Sequence, residues 1–351
     1  MDTRIETPDL IASLVETAPV TGNVDAVNRA VAFVKNYLDK NGLYTAVETL
    51  DGRDILFACT RRDTTPDVLL NAHLDVVPGE PGQHRMTCDG NRIIGRGTHD
   101  CLANCAVAAN TLVACRETAD VGVVFSTDEE EGGTTTREMV ERGYAAKKLI
   151  VVLDGGGYAV IVAQKGVLSL RLEAEGTGGH SAEPWHCDNA IDKLIAGYPR
   201  IRSLFPDVQP PDEWRDTMAA TIIEGGQAHN RVPDAASMTV NIRFTENTDA
   251  DALLSRIAEM SELKVSTEMR SEPVFCDTEA PAVKGFIDHM KQFLDRDIRI
   301  TRNNGATDMR HFTQLGVPII NIAVPGDGDH GSDEYAERDG IAAYEEMLQS
   351  Y

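Results

Sequence analysis

The sequence predicts an α/β domain with a mixed, mostly parallel sheet flanked by helices, interrupted by a smaller inserted α+β domain of β-α-β-β-α-β order. Three observations carry this. The runs ILFAC from Ile55, DVLLNAHLDVV from Asp67, VGVVFST from Val121 and LIVVLD from Leu149 are predominantly apolar and read as buried strands. From about Lys165 the texture changes to strict alternation, as in VLSLRLEAEG, which reads as half-exposed strand. After Val274 the first texture returns, so the larger domain is in two pieces.

In chain order, a short helix-like opening precedes Asn23 to Leu38, whose apolar residues recur at helical spacing until Asn41-Gly42 supplies a stop. Cys105 to Glu117, CAVAANTLVACRE, reads as a buried helix of small residues between the second and third strands. In the inserted stretch, NAIDKLIAGYPRI and DADALLSRIAEM read as helices, and TMAATIIEGG, ASMTVNIRFT and KVSTEMRSEPV as strands. Ala282 to Leu294 is a further helix, and VPIINIAVP a further strand. The predicted pieces are 1–165 with 275–351, and the insert 166–274.

Acidic residues outnumber basic ones 56 to 33, a formal net charge of -23 that argues against nucleic acid or an anionic membrane surface as partner. MDTRIETPDLIASLVE lacks the apolar core of a signal peptide, and no run approaches a membrane span, so a cytoplasmic protein is expected. The 7 Cys form no CxxC pair and are read as reduced thiols.

The stretch FSTDEEEGG, Phe125 to Gly133, ends an apolar run in four consecutive carboxylates. Such charges repel unless cations or separate partners take them up. Other potential metal ligands stand at matching places. His73 ends an apolar run in NAHLDVV, with Asp75 two residues on to take the second ring N–H. Asp100 lies between a glycine turn and a helix start in GRGTHDC, where it can cap the helix or bridge two cations. Asp154 follows LIVVL and precedes three glycines, and His330 sits in the loop DGDHGSDEYA after VPIINIAVP. Ligand sites in open α/β sheets favour this carboxyl edge.

The series HLDVVPG, GRGTHDC, TDEEEGG, LDG, GTGGHSAEP, GGQAHNRVPDAA and HGSDEYA resembles the di-zinc amidohydrolases that include acetylornithine deacetylase, succinyl-diaminopimelate desuccinylase, aminoacylase and glutamate carboxypeptidase. The match runs in order over nearly the whole chain. The resemblance implies that His73, Glu130, Asp154 and His330 hold two zinc ions per chain, that Asp100 bridges them, and that Asp75 supports His73. Cobalt or manganese would substitute. It implies that Glu129 is the general base; Asp128 and Glu131 are flanking positions to which no catalytic role is assigned. The insert would be a lid and dimerisation domain, with His180 donating to the oxyanion and Asn230 and Arg243 touching substrate. In GATDMRHF, Asp308 and Arg310 resemble a substrate-side segment, Arg310 being suited to clamp a carboxylate. His99, His186 and His311 are read as ordinary polar residues.

The activity so implied is metal-dependent hydrolysis of an amide bond in an N-acyl amino acid or short peptide by a homodimer. A di-metal aminopeptidase and a non-catalytic binding relative are the alternatives. Where similar enzymes often have Lys and Gly after the bridging Asp, this chain has Leu102 and Ala103.

Overall fold

The structure is a computed structural model describing residues 4–351. It divides into two compact units. The first comprises the chain up to Ala163, Phe275–Arg302 and Thr307–Tyr351, and the second Gln164–Val274 with Asn303–Ala306.

The first unit is built on a mixed sheet in which Tyr44–Leu50, Arg53–Cys59, Val121–Ser126, Val68–His73, Leu149–Val152, Ile319–Asn321 and Ala159–Gln164 lie side by side. The middle pairs, from Val121–Ser126 to Ile319–Asn321, are parallel, and the pairs outside them antiparallel. Register brings the carboxyl ends of the parallel strands level: His73 pairs with Ser126, Asn71 with Val152, and Asn321 with Val152. Whatever follows each of these strands therefore gathers along one edge.

Both faces of this sheet are covered, which is why its strands read as continuous apolar runs. On one face Leu56, Ala58, Leu70, Ala72, Val123 and Phe125 join the core formed with helices Thr7–Glu16, Val24–Lys40, Leu102–Cys115 and Arg338–Ser350. On the other, Phe57 packs against Tyr144, with ring centroids 4.7 Å apart, just past helix Thr134–Glu141. Helix Leu102–Cys115 is buried almost all round, and its Ala and Cys residues let it lie close to its neighbours. Leu102 and Ala103 are fully enclosed in this core.

The second unit is a four-stranded antiparallel sheet in the order Thr217–Gly225, Ala235–Phe244, Gly166–Glu175, Lys264–Ser271. Leu168, Leu170, Leu172 and Ala174 alternate inward along one strand and pack on helices Ala190–Arg202 and Ala250–Ser261. Asn189 and Asp249 cap these helices by accepting from Ile191 N and from Asp251 N and Ala252 N. The edge strand Thr217–Gly225 is mostly exposed, including Ile222 and Ile223. Among the described residues no helix is long and apolar enough to cross a membrane.

Candidate metal centre

The turn after Val121–Ser126 accounts for all four carboxylates of DEEE. Asp128 accepts from Thr135 N at 3.0 Å, satisfying the first turn of helix Thr134–Glu141. Glu131 pairs with Arg53 at 2.7 Å on the surface. Glu129 and Glu130 point the other way, into the sheet edge. Gly133 makes the bend possible: its φ is +67°, and a Cβ there would lie 2.0 Å from Asp308 Oδ1.

The strand Val68–His73 ends at His73, so Asp75 lies beyond it. Its backbone carbonyl is 2.9 Å from His73 Nδ1, closer than its carboxylate at 3.5 Å. The carbonyl thus fixes the imidazole with Nε2 turned outward. The Asp75 carboxylate has a second role that the sequence does not reveal. It accepts from Glu129 N at 3.1 Å, Glu130 N at 3.3 Å and Thr21 Oγ1 at 3.0 Å, tying the acidic turn to the His73 strand.

Asp100 precedes helix Leu102–Cys115, but its side chain does not cap it. One oxygen lies 2.9 Å from His73 Nε2, and the other 3.2 Å from His330 Nε2. His330 Nε2 is also 3.2 Å from Glu130 Oε2. In a tetrahedral site with bonds of ~2.0–2.2 Å, neighbouring ligand atoms stand ~3.3 Å apart, so these are separations of groups able to share a cation. Asp154, whose N–H donates to Asn321 Oδ1 at 3.0 Å, completes the cluster. Potential ligand atoms of His73, Asp100 and Glu130 lie within 4.8 Å of one another, as do those of His73, Glu129 and Asp154.

The electrostatics fit a dication. Glu130 Oε1 is buried without a hydrogen-bond partner. Burial, then the Asp100 charge, pushes Glu130 up to about 7. Burial, with Asp308 and Asp100 opposing ionisation, pushes Glu129 up to about 8. Asp154 is raised well above the usual carboxylate range by burial and by Glu129. His330 rises to about 9, chiefly through its bond to Asp100. Burial works against ionised Asp100, but His330 and His73 hold it below the usual range. Imidazole and carboxylate donors of this kind suit zinc, with cobalt or manganese as substitutes.

Arg310 lies on the short helix Asp308–Leu315, its Nε 3.1 Å from His311 Nε2. Asp308 departs from the substrate-side expectation. It is buried beneath the acidic turn, accepting from Ser126 Oγ at 2.8 Å and Thr136 Oγ1 at 2.6 Å. In the second unit, Gly179–His180 pairs with Arg231–Val232, and Ser181 N donates to Asn230 O at 3.0 Å, so His180 and Asn230 are neighbours. Arg243 lies elsewhere in that unit, its Nε donating to Asn241 Oδ1 at 3.0 Å. His99 proves to be buried and bonded through Nδ1 to Asp329. Arg96 and Glu334, missed by sequence reasoning, form a buried ion pair beside Asp100, and nothing in GRG or HGSDEYA marks them off from ordinary surface charges.

Comparison with known proteins bears on the family and the fold. The chain is 27% identical over 371 residues to a putative succinyl-diaminopimelate desuccinylase of Mycobacterium tuberculosis, covering 100% of this chain and 99% of that one. It is 22% identical to a probable succinyl-diaminopimelate desuccinylase of Staphylococcus aureus, covering 97% and 95%. Among solved structures, an aminopeptidase PepT of Bacillus cereus has the same fold, with a TM-score of 0.81 at 17% identity over 98% of this chain and 96% of that one. So does an M20 family metallo-carboxypeptidase of Sulfolobus solfataricus, with a TM-score of 0.77 at 16% identity over 99% of each. Residues 69–351 match the profile of peptidase family M20/M25/M40. The chain is therefore a member of peptidase family M20/M25/M40, a hydrolase of the metallopeptidase type.

Proposed function

We propose that this chain hydrolyses the amide bond of an N-acyl amino acid or short peptide, using two divalent ions, zinc preferred, held by His73, Asp100, Glu130, Asp154 and His330. The observation that carries this is Asp100, with one carboxylate oxygen toward each of two imidazoles and Glu130 alongside. Ions bound there would polarise the scissile carbonyl and bring the pKa of a bound water towards ~7.

The chain's own residues would manage the proton. Glu129, set by the Asp75 bond to its N–H, would take a proton from the attacking water and return it to the leaving nitrogen. The products are a carboxylate and an amine. A Glu129 that resists ionisation without cations is ready to ionise beside them.

Three groups of the second unit, His180, Asn230 and Arg243, and Arg310 of the first are assigned to the substrate. His180 Nδ1 accepts from Ala182 N at 3.1 Å, which leaves Nε2 as the protonated nitrogen, suited to donate to an oxyanion. Asn230 is its neighbour, and Arg243 and Arg310 are candidates for carboxylate binding. The exposed edge strand Thr217–Gly225, with Ile222 and Ile223, supports a homodimer formed through this unit.

N-succinyl amino acids are the first substrates to try, because the full-length relatives carry the name desuccinylase and Arg310 suits a second carboxylate. The test is turnover by zinc-loaded protein of N-succinyl and N-acetyl amino acids, dipeptides, and peptides with a free amino terminus. Cleavage of an N-acyl amino acid or dipeptide is expected. Activity confined to longer peptides with free amino termini would replace this reading with the aminopeptidase one.

A further inference from the structure

Asp100 and His330 approach one another from segments far apart in sequence, and between those segments lies a buried ion pair. We propose that Arg96 and Glu334, 238 positions apart, form a clasp that positions Asp100 against His330 and so sets the affinity of the ion they share with Glu130. The proposal rests on the metal-centre reading above.

Apart from the bond joining the two side chains, their bonds go to backbone of or beside a candidate ligand. Glu334 Oε1 accepts from His99 N at 3.0 Å and Asp100 N at 3.1 Å. Its Oε2 accepts from Arg96 Nη1 at 2.6 Å. Arg96 Nη2 reaches across to His330 O at 3.2 Å and Gly331 O at 3.0 Å. One guanidinium thereby holds the His330 loop while its partner carboxylate holds the Asp100 peptide.

The surroundings stiffen both halves. Gln83 accepts from Arg96 N through its carbonyl at 2.8 Å and donates its side-chain amide to Gly331 O at 2.9 Å. Arg92–Ile94 pairs with Tyr335–Glu337 just outside the clasp. His330 has φ +63°, a conformation uncommon for a non-glycine residue. Its imidazole is more than half exposed, so the contacts on its backbone, with the approach of Nε2 to Asp100 and Glu130, set its direction rather than enclosure by neighbouring side chains.

A buried ion pair by itself says little about stability, since desolvation offsets its attraction. The planar fork of arginine is what lysine cannot supply, because one ammonium cannot serve Glu334 and two carbonyls in the same geometry. Neither Arg96 nor Glu334 touches a reacting atom. They are positioning residues.

The test is titration of chelated wild-type, Arg96→Lys and Glu334→Gln proteins with Co(II) and Zn(II), following calorimetric affinity and Co(II) absorption, with Glu130→Gln marking the ion in question. Expected is a ~10–100-fold weakening of that ion in both variants, larger than any effect on the other ion, which Asp100 also reaches through its second oxygen, with far-UV circular dichroism preserved. Equal weakening of both ions, or no weakening, overturns the clasp. Should Glu334→Gln not fold, Arg96→Lys, which keeps the charge, decides by the same criterion. A wild-type chain that binds no divalent ion overturns the metal centre itself, and the clasp with it, before any variant is compared.

Discussion

The backbone N–H of Glu129 donates to the carboxylate of Asp75 at 3.1 Å, so the residue read as general base is fixed by one lying just beyond the His73 strand. The same carboxylate accepts from Glu130 N and Thr21 Oγ1. Asp75→Ala orphans the N–H groups of Glu129 and Glu130, while Thr21 Oγ1 keeps Val76 O as acceptor at 3.1 Å, and each buried orphan costs ~1–3 kcal/mol. It should lower kcat and metal affinity ~10–100-fold, whereas Asp75→Asn, keeping one acceptor, should lose less. Steady-state kinetics with metal analysis measures this; equal effects of the two substitutions would contradict the role.

Stability of the chelated protein should have an unusual pH dependence. Glu129 and Glu130 are pushed up to about 8 and about 7 from an ordinary 4.5. The folded chain then binds more protons than the unfolded chain, so their contribution is present at low pH and lost as pH rises through 7 to 8. Thermal denaturation in chelator should show a melting temperature falling between pH 6 and pH 8.5, with Glu129→Gln flattening the fall. Zinc-loaded protein should not show it. A chelated protein that gains stability over this range would contradict the crowding of carboxylates described here.

His180→Ala should lower kcat by roughly 100-fold to 1000-fold while both metals stay bound, since a donor to a developing oxyanion is worth ~2.7–4 kcal/mol. Mixing His180→Ala chains with Glu129→Gln chains asks whose site the imidazole serves. If it serves a partner's site, the mixed dimer has one site with both groups and recovers activity. Verified heterodimers without recovery would leave His180 acting within its own chain or not at all.

The edge strand Thr217–Gly225 exposes Ile222 at 54% and Ile223 at 63%. Charges on an edge strand oppose pairing with a second copy. Ile222→Lys with Ile223→Lys should therefore convert a dimer into monomers by analytical ultracentrifugation, with metal content unchanged. A variant that sediments as the wild type would remove this edge from the interface.

What the sequence made legible follows from strand physics. His73, Glu129, Glu130 and Asp154 each lie at or just past the end of an apolar run, and buried parallel strands are long enough to show such runs. The alternation around Gly166–Glu175 likewise betrayed the second sheet. Strand Tyr44–Leu50 was not legible, because it is half-exposed and its apolar residues Tyr44, Ala46, Val47 and Leu50 keep no period of two. Nor was the small sheet of Thr87–Asp89, Arg92–Ile94, Gly326–Asp327 and Tyr335–Glu337, whose strands of two or three residues are too short for any period. Arg96 and Glu334 sit beside that sheet, so their pairing could not be read without the fold. The HxD spacing suggested the Asp75 carboxylate for His73 once the strand ends between them, and the carboxylate stands 3.5 Å from Nδ1, but the Asp75 carbonyl, which no spacing singles out, is closer at 2.9 Å.

The division of labour between Glu129 and Glu130 is tested most directly by measuring bound zinc and turnover together in Glu129→Gln and Glu130→Gln. An amide is nearly isosteric with the carboxylate but cannot take up the proton, so Glu129→Gln should retain two zinc ions per chain and lose turnover. Glu130→Gln, altering the carboxylate assigned as a ligand beside His330 and Asp100, should instead weaken one ion. Loss of metal from Glu129→Gln with both ions kept by Glu130→Gln would contradict the assignment of base and ligand.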